Sequence, residues 1–220
     1  MIPCIVITRD RVTHLRQCLA NLNDGHYLDL HIVDHGSTWP PMVDYLLQLQ
    51  RVRAVPVHHR GDHPPRELWS WGGLAGIVGR RRYLVTDPDI ILNPDCPDDW
   101  LDALGEELDH GGLAKVGLSL RTDDLPDTPL AEKVREWERP FSTDLRPSGK
   151  AWRGPVDTTL ALYLPLSVHP EFKLVPGARL TAPYQVRHLP WYETGEPSQE
   201  ETYYREHLIP GSSHWANGGW

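Results

Sequence analysis

Two aspartates, Asp87 and Asp89, follow a short apolar stretch near the middle of the chain. The stretch Tyr83–Thr86 predicts a buried strand, and a second apolar run begins at Ile90. An unpaired buried carboxylate is very costly, so such a strand end needs a cation or hydrogen-bond donors nearby. Paired oxygen donors suit Mg²⁺ or Mn²⁺, and these ions usually also hold substrate phosphates. The motif therefore favours a metal-bridged nucleoside diphosphate, and a plain Asp-Pro-Asp turn is the simpler alternative.

The composition indicates one soluble globular domain, or a core domain with a long tail. The chain has 220 residues, of which 24% are charged and 40% hydrophobic, and its formal net charge is −8. This charge gives no bulk attraction to nucleic acid, and the basic run Arg80–Arg82 is expected to be a solvated helix end. The apolar runs are too short to span a bilayer. Because Met1–Ile7 lacks the basic region of a signal peptide, we expect it to be a first strand.

The three cysteines, Cys4, Cys18 and Cys96, argue against both a disulfide framework and a zinc site. Their number is odd, and no two of them have the spacing of metal ligands. A reducing, cytoplasmic setting is the simplest interpretation. The chain also contains nine tryptophans, which supply either core volume or flat apolar surfaces of the kind found in sugar-binding grooves.

Strands alternate with helices in the first half of the chain, which predicts an α/β fold with a mostly parallel sheet flanked by helices. The predicted strands are Ile5–Thr8, Leu28–Val33, Arg53–Val57 and Tyr83–Thr86, and the predicted helices are Val12–Leu22, Pro41–Arg51 and Glu67–Gly79. The second half is richer in loops. It has predicted helices at Asp98–Leu108 and Leu130–Trp137 and predicted strands at Lys115–Leu120 and Thr158–Leu164.

Polar residues follow the predicted strands of the first half. In a parallel sheet of this kind, ligands bind beyond the carboxyl ends of the strands. The residues at or just after those ends are Thr8, Arg9, Asp34, Arg60, Asp87 and Asp89. Four strand ends that align in this way predict a single ligand site.

Three stretches, Ile5–Arg11, His31–Ser37 and Tyr83–Leu92, resemble the nucleotide-sugar-dependent glycosyltransferases of the GT-A fold, especially small bacterial family-2-like members. The later segments Lys115–Arg121, Asp157–Tyr163 and Arg187–Tyr192 resemble those of bacterial glycosyltransferases. The resemblance implies one catalytic domain over residues 1–193, with a nucleotide-binding half (1–92) and an acceptor half (93–193), and a tail or lid over 194–220. One departure is that no Glu-Asp pair stands on a helix, where the family usually carries its catalytic base.

The resemblance also implies roles for the residues at the strand ends. Asp87 and Asp89 would hold Mn²⁺ or Mg²⁺, and His188 is the candidate for one further ligand. The donor pocket would be lined by Thr8, Arg9, Asp34, Arg60 and Asp87. The plain alternatives are a surface position for Arg9, a helix cap for Asp34, a turn for Arg60 and a structural role for His188.

The acceptor half is expected to supply the base that takes the acceptor proton, usually a carboxylate. Asp157, which stands alone before an apolar strand, is the first choice, and Asp123 and Asp124 are the second choices. Three aromatic residues are candidates either for stacking on acceptor or donor rings or for core packing, namely Trp152, Trp191 and Tyr192.

The resemblance implies a metal-dependent glycosyltransferase that moves a sugar from a nucleoside-diphosphate sugar, by default a UDP-sugar, to an unknown hydroxyl acceptor with inversion. A nucleotidyltransferase and a non-catalytic nucleotide-binding protein of the same fold are the alternatives. The first usually has a Gly-rich loop after the first strand, whereas the loop Thr8–Arg11 has no glycine. The retention of Asp87 and Asp89 speaks against the second.

Overall fold

The structure is a computed structural model of the chain, and it describes residues 1–22, 28–52, 55–156, 158–165 and 176–209. Three predicted features lie wholly or partly outside these ranges. They are the candidate base Asp157, the first residues of the third predicted strand at Arg53 and Ala54, and the tail from 210 onward. The role of Asp157 therefore stays a prediction.

Nine strands of the described residues form one mixed sheet. The strands are β1 (Ile2–Thr8), β2 (Leu28–Asp34), β3 (Val57–His59), β4 (Tyr83–Thr86), β5 (Ile90–Leu92), β6 (Lys115–Leu120), β7 (Ala151–Arg153), β8 (Ala161–Tyr163) and β9 (Gly177–His188). Their spatial order is β3-β2-β1-β4-β8-β6-β9-β5, and β7 pairs with the first part of β9. Strands β1 to β4 pair in parallel, whereas β8 lies antiparallel between β4 and β6.

Six α-helices in the described residues accompany the sheet. They are α1 (Val12–Leu22), α2 (Pro40–Arg51), α3 (Gly72–Val78), α4 (Trp100–Asp109), α5 (Pro129–Glu138) and α6 (Gln199–Glu206). Short 3₁₀ turns lie at Pro65–Ser70, before α3, at Arg139–Ser142, after α5, and at Leu189–Trp191, after β9. Within the part of the chain that the structure describes, no helix is both long and apolar enough to cross a membrane.

Two apolar layers cover the two faces of the sheet. Successive side chains of a strand point to opposite faces. Along β1, Cys4 and Val6 therefore join one layer, and Ile5 and Ile7 join the other. A strand buried on both faces is typical of a parallel sheet with helices on each side, and it explains why β1 has an unbroken apolar sequence.

The parallel pairing brings the carboxyl ends of several strands to one side of the sheet, which we call the carboxyl edge. Thr8 at the end of β1 pairs with Asp34 at the end of β2, and Asp34 pairs with His59 at the end of β3. Strand β4 ends next to them at Thr86. Two antiparallel pairings through β8 make β6 parallel to β4, so Leu120 also ends at this edge.

The predicted elements of the first half are largely confirmed, but two are wrong in detail. The third strand is Val57–His59 and begins later than predicted, because Pro56 has no N–H to donate to β2. The helix predicted at Glu67–Gly79 is a 3₁₀ turn followed by α3. The break falls at Trp71, whose backbone is extended, with φ −79° and ψ 118°.

The second half differs more from the prediction. Strand β8 begins at Ala161 and not at Thr158, because Leu160 has a φ of 53° that interrupts the extended backbone. Strands β5, β7 and β9 and helix α6 were not predicted. Of these, β9 matters most, because it pairs with β5, β6 and β7 and joins β5 to the rest of the sheet.

Candidate active site

Asp89 lies buried at the carboxyl edge beside Arg11 and His188. Its Oδ2 accepts a hydrogen bond from Arg11 Nη1 at 2.6 Å, and His188 Nε2 lies 3.4 Å from the same oxygen. Burial alone would raise the pKa of Asp89, but His188 and Arg11 outweigh burial and hold this pKa well below its ordinary value. Asp89 Oδ1 is buried and has no hydrogen-bond partner among the described residues. One oxygen of the carboxylate therefore has unused hydrogen-bonding capacity.

Strand pairing brings His188 to Asp89. Strand β5 begins directly after Asp89, and its first residue, Ile90, pairs with His188 at the end of β9. The backbone N–H of Leu189 donates to the carbonyl oxygen of Asp89 at 2.8 Å. The His188 ring packs against the Trp191 ring, with centroids 4.7 Å apart, which fixes the orientation of the imidazole. The structure thus brings together the two candidate ligands Asp89 and His188.

Asp87 has different neighbours from Asp89. Its N–H donates to the carbonyl oxygen of Thr158 at 2.8 Å, and its Oδ2 accepts a hydrogen bond from Thr158 Oγ1 at 2.5 Å. These two bonds hold the segment before β8 against the end of β4. Asp157, the predicted base, directly precedes Thr158 in the sequence and lies outside the described residues.

The donor set at Asp89 suits a divalent ion only in combination with a substrate. Among the described residues, no three His, Cys, Asp or Glu side chains form a group that could hold a metal ion. His188 Nε2 lies 3.4 Å from Asp89 Oδ2, the oxygen that Arg11 also contacts, and this spacing is close to the roughly 3 Å between neighbouring ligands of an octahedral ion. Phosphate oxygens and water would complete the coordination shell, as is usual for Mg²⁺.

Arg11 is a buried cation of the site that no local sequence pattern indicates. It is 7% exposed, and its Nη2 donates to Glu201 Oε2 at 2.8 Å. Its guanidinium carbon lies 3.8 Å from the centre of the Tyr204 ring. Arg205 Nε donates to the other oxygen of Glu201, also at 2.8 Å. A chain of charges thus joins Asp89 to helix α6.

Helix α6 packs across the segments that follow β1 and β2. Glu200 accepts hydrogen bonds from both the N–H and the hydroxyl of Thr13 in the first turn of α1. Tyr203 donates from its hydroxyl to Thr38 Oγ1 at 3.0 Å and packs against Trp39. Part of the tail that was predicted from residue 194 therefore contacts the carboxyl edge.

A sequence signal for α6 exists. Ser198 stands three residues before Glu201, and its side chain accepts a hydrogen bond from the Glu201 N–H. Serine followed three residues later by glutamate is the sequence pattern of a capping box. The pattern alone is weak, because no aliphatic residue of the helix reinforces it.

Thr8 and Asp34, two of the predicted donor residues, lie side by side at the carboxyl edge. Thr8 Oγ1 is buried and has no hydrogen-bond partner among the described residues. Asp34 Oδ1 accepts bonds from the N–H and the hydroxyl of Ser37, and Asp34 Oδ2 lies 3.1 Å from His59 Nδ1. The helix-cap alternative for Asp34 is wrong, because the N-cap residue of α2 is Trp39.

The two predicted donor arginines are anchored by neighbouring loops. Arg9 Nη1 donates to the carbonyl oxygen of His35 at 2.6 Å and to Asp62 Oδ1 at 2.5 Å. Arg60 Nη1 donates to the carbonyl oxygen of Glu67 at 2.9 Å. Both guanidinium groups therefore lie at the carboxyl edge with part of their hydrogen-bonding capacity already used.

Asp124 forms ion pairs and a hydrogen bond with its neighbours, whereas Asp123 is exposed. Asp124 pairs with Arg187, accepts the Tyr192 hydroxyl at 2.7 Å and lies 3.2 Å from Arg121 Nε. Burial works to raise the pKa of Asp124, but these donors outweigh it and lower the pKa. Asp123 accepts a hydrogen bond only from Arg121 Nε, at 3.0 Å, among the described residues. Of the two second-choice bases, Asp123 is the better placed to accept a proton.

The three aromatic candidates have different surroundings. Trp191 is 3% exposed and packs with Leu125 and Val134, so core packing describes it. Tyr192 is half-buried and fixed through its hydroxyl by Asp124. Trp152 lies on β7 opposite Arg179, at the other end of β9 from His188. The structure therefore does not bring the three rings together as one stacking surface.

Comparison with known proteins shows the fold. No family model and no curated protein matches this chain. Among solved structures, GalNAc-T7 with UDP, GalNAc and Mn²⁺ is similar at a TM-score of 0.54 and 10% identity, over 93% of this chain and 47% of that one. The mannosyltransferase PcManGT from Pyrobaculum calidifontis, in complex with GDP-Man and Mn²⁺, is similar at 0.52 and 14% identity, over 93% and 59%.

TarS of S. aureus is similar at a TM-score of 0.52 and 13% identity, over 93% of this chain and 38% of that one. This chain has the GT-A fold, as the sequence resemblance implied. It spans between 38% and 59% of the length of these three proteins.

Proposed function

We propose that this protein is a metal-dependent glycosyltransferase that moves a sugar from a nucleoside-diphosphate sugar to a hydroxyl acceptor, with inversion. The observation that carries the proposal is the environment of Asp89. Its carboxylate is buried at the carboxyl edge, has one oxygen without a partner among the described residues, and lies 3.4 Å from His188. The GT-A fold, shared with proteins solved in complex with nucleotides, sugars and Mn²⁺, supports this reading.

In this proposal Asp89 and His188 hold a Mn²⁺ or Mg²⁺ ion. Asp87 contacts the bound nucleoside-diphosphate sugar and the same ion. The ion would stabilise the negative charge that develops on the leaving diphosphate. The unpartnered hydroxyl of Thr8 and the carboxylate of Asp34 lie on neighbouring strands. They are proposed to bind the nucleoside, and Arg9 and Arg60 to line the same pocket.

Arg11 compensates Asp89 when no ion is bound. Its two η nitrogens contact Asp89 and Glu201, so it can keep one carboxylate partner when it gives up the other. When the metal ion binds Asp89, it replaces the Arg11 guanidinium as the neighbouring cation. The buried carboxylate is thus never left unpaired, which would be costly. We propose that Glu201 holds Arg11 in readiness for this exchange.

Asp157 remains the proposed base, and Asp123 is the proposed substitute. Asp157 directly precedes Thr158, whose hydroxyl contacts Asp87. The proposal for Asp157 rests on this sequence neighbour and on the resemblance. Asp124 is a weaker candidate, because its neighbours lower its pKa and so reduce its affinity for the acceptor proton.

The proposal is tested by nucleotide release. The protein is incubated with UDP- and GDP-sugars, with Mn²⁺ or with excess chelator, and nucleotide release is followed by chromatography. We expect release only with the ion, and no release from Asp89→Ala although its circular dichroism matches the wild type. Asp29→Ala, a change at a half-buried carboxylate near the start of β2, is the matched control. Full release in chelator would falsify the metal dependence.

A non-catalytic nucleotide-binding protein of the same fold is the second candidate. The observation that favours it is the short ion pair between Arg11 and Asp89, which already satisfies one carboxylate oxygen. The two candidates differ in one measurement. Nucleotide that binds with the same affinity with and without Mn²⁺, and without any release of sugar, would support the second.

A further inference from the structure

A cavity of about 300 Å³ opens at the carboxyl edge beside the end of β6. Its walls come from β6, from the loop that contains Asp123, from α5 and from the 3₁₀ turn that follows α5. Three arginines line it, Arg135, Arg139 and Arg179. The size is at the lower end of the range of small-molecule sites, which begins at about 300 Å³.

The two acids in the cavity wall are already paired. Arg179 Nη1 donates to Glu138 Oε2 at 2.6 Å, and Arg121 Nε donates to Asp123 Oδ1 at 3.0 Å. Arg135 donates through Nε and Nη2 to two backbone carbonyl oxygens, which carry no net charge. The positive charges of Arg135 and Arg139 are therefore not balanced by an acid of the wall.

Arg139 is the most accessible of the three arginines. It is exposed, and its side chain forms no hydrogen bond or ion pair with a described residue. Arg179 is buried and packs its guanidinium over the ring of Phe141, 4.4 Å from the centroid. The wall thus combines an apolar ring with guanidinium donors in a protein whose net charge is −8. A guanidinium fork binds a carboxylate or phosphate through paired hydrogen bonds.

The pairing of the strands relates the cavity to the Asp-x-Asp motif. Val85 of β4 and Gly117 of β6 both pair with Ala161 of β8, so the two residues lie at the same level of the sheet. Asp87 lies two residues after Val85, and the cavity residue Ser119 lies two residues after Gly117. Neighbouring strands are about 4.8 Å apart, which puts Ser119 roughly 10 Å from Asp87 along the carboxyl edge. A sugar bound in the cavity therefore reaches toward the proposed donor site.

We infer that this cavity binds the acceptor and that the acceptor carries an anionic group, a carboxylate or a phosphate, on its sugar. The inference rests on the proposed function, since it names the acceptor class of that reaction. Arg139 and Arg135 contact the anion, Phe141 packs against the sugar ring, and Asp123 lies in the same wall as a possible proton acceptor.

The test measures binding of glucuronate, glucose 6-phosphate and neutral glucose to the full chain by calorimetry, at low and at high salt. We expect at least one anionic sugar to bind more than tenfold tighter than glucose and to weaken as salt rises. Arg139→Ala should weaken this binding about tenfold, and Arg139→Lys should lose less. Arg80→Ala, a change at an exposed arginine before β4 at the opposite edge of the sheet, is the matched control and should bind like the wild type.

Two results with the sugars overturn the inference. One is equal binding of glucose and both anionic sugars, and the other is unchanged binding by Arg139→Glu. Inorganic phosphate as a further probe separates a sugar site from a bare anion site, and phosphate that binds as tightly as glucose 6-phosphate also overturns it. The release of nucleotide from donor and water alone tests the proposed function separately. Binding of an anionic sugar without any donor release leaves an anionic-sugar site at the cavity and removes the proposed reaction, and with it the role of that sugar as acceptor.

Discussion

Arg11 donates from Nη1 to Asp89 at 2.6 Å and from Nη2 to Glu201 at 2.8 Å, so one guanidinium bridges two buried carboxylates. Asp89 belongs to the loop after β4 and Glu201 to α6, and neither residue is more than 5% exposed. Two ion pairs thus link the candidate metal site to helix α6. Its strength can be measured without any substrate.

The first prediction is that Arg11→Gln destabilises the protein. The change removes the cation that Asp89 and Glu201 share, and breaking a buried ion pair costs about 3–5 kcal/mol. Urea unfolding gives the free energy. The double variant Arg11→Gln/Glu201→Gln should recover part of the loss, and Arg51→Gln, at an exposed arginine, should change stability by less than about 0.5 kcal/mol. If Arg11→Gln is as stable as the wild type, the bridge contributes nothing.

The second prediction concerns Mn²⁺ and Arg11. In the Arg11→Gln variant an ion at Asp89 replaces the lost cation, so Mn²⁺ should raise the melting temperature of this variant more than that of the wild type. Asp89→Asn serves as the control, because it removes the charge that attracts the ion. Equal stabilisation of Asp89→Asn and Arg11→Gln by Mn²⁺ would mean that the ion binds elsewhere.

Local patterns were enough to predict the first half of the fold. Strands β1 and β4 are apolar on both faces, and α1 has its apolar residues at helical spacing, so each carries its own signal. The order of these elements then determines the parallel sheet and the position of Asp34, Asp87 and Asp89 at one edge. The place of His188 came from the resemblance and not from any local pattern.

The elements that were missed depend on distant partners. Strand β9, Gly177–His188, contains Pro183 and several polar residues, and it is a strand because β5, β6 and β7 pair with it. Helix α6 is polar throughout and is held by Arg11 and Thr13. The bridge from Arg11 could not be predicted, since it joins residues from three separate parts of the chain.

The third prediction is that Asp34→Ala weakens nucleotide binding about ten- to a hundredfold, the effect of losing a hydrogen bond to a charged group. The same change removes the acceptor of Ser37 and the partner of His59, so we also expect a loss of stability. Ser37→Ala is the matched control, because it loses part of the same local hydrogen bonding without touching the nucleotide. Calorimetry measures affinity and thermal unfolding measures stability. If Ser37→Ala weakens nucleotide binding as much as Asp34→Ala, Asp34 acts only by shaping the loop.

The fourth prediction separates the candidate bases. Asp157→Asn should lower the turnover number by about 10²–10⁴-fold, the usual size of general base catalysis, and leave donor affinity unchanged. Asp124→Asn should mainly lower stability, because it weakens the pairing with Arg187 and Tyr192. Asp123→Asn completes the series. Normal turnover in Asp157→Asn together with a loss in Asp123→Asn moves the base to Asp123, and normal turnover in all three contradicts a single-step inversion.

The fifth prediction concerns pH and His35. Burial lowers the pKa of His35, and nearby Arg60 lowers it further, against the opposing effects of the His63 carbonyl and Asp34. The folded form therefore resists protonation, so the contribution of His35 to stability is complete above about pH 6.5 and is lost as pH falls below it. His35→Asn should flatten this pH dependence in urea unfolding, whereas His110→Asn, at an exposed histidine, should not. An unchanged slope in His35→Asn contradicts the prediction.

Arg11 and Glu201 are separated by 190 positions in the sequence. A ribosome adds about 5–20 residues per second, so roughly 10–40 s pass between the synthesis of the first partner and that of the second. During this interval the nascent chain can form β1, α1 and β4 and can pair Arg11 with Asp89, but the second nitrogen of the guanidinium has no carboxylate partner yet. Translation that stops before Glu201 thus yields a polypeptide that has most of its sheet but in which Arg11 lacks one of its two carboxylate partners.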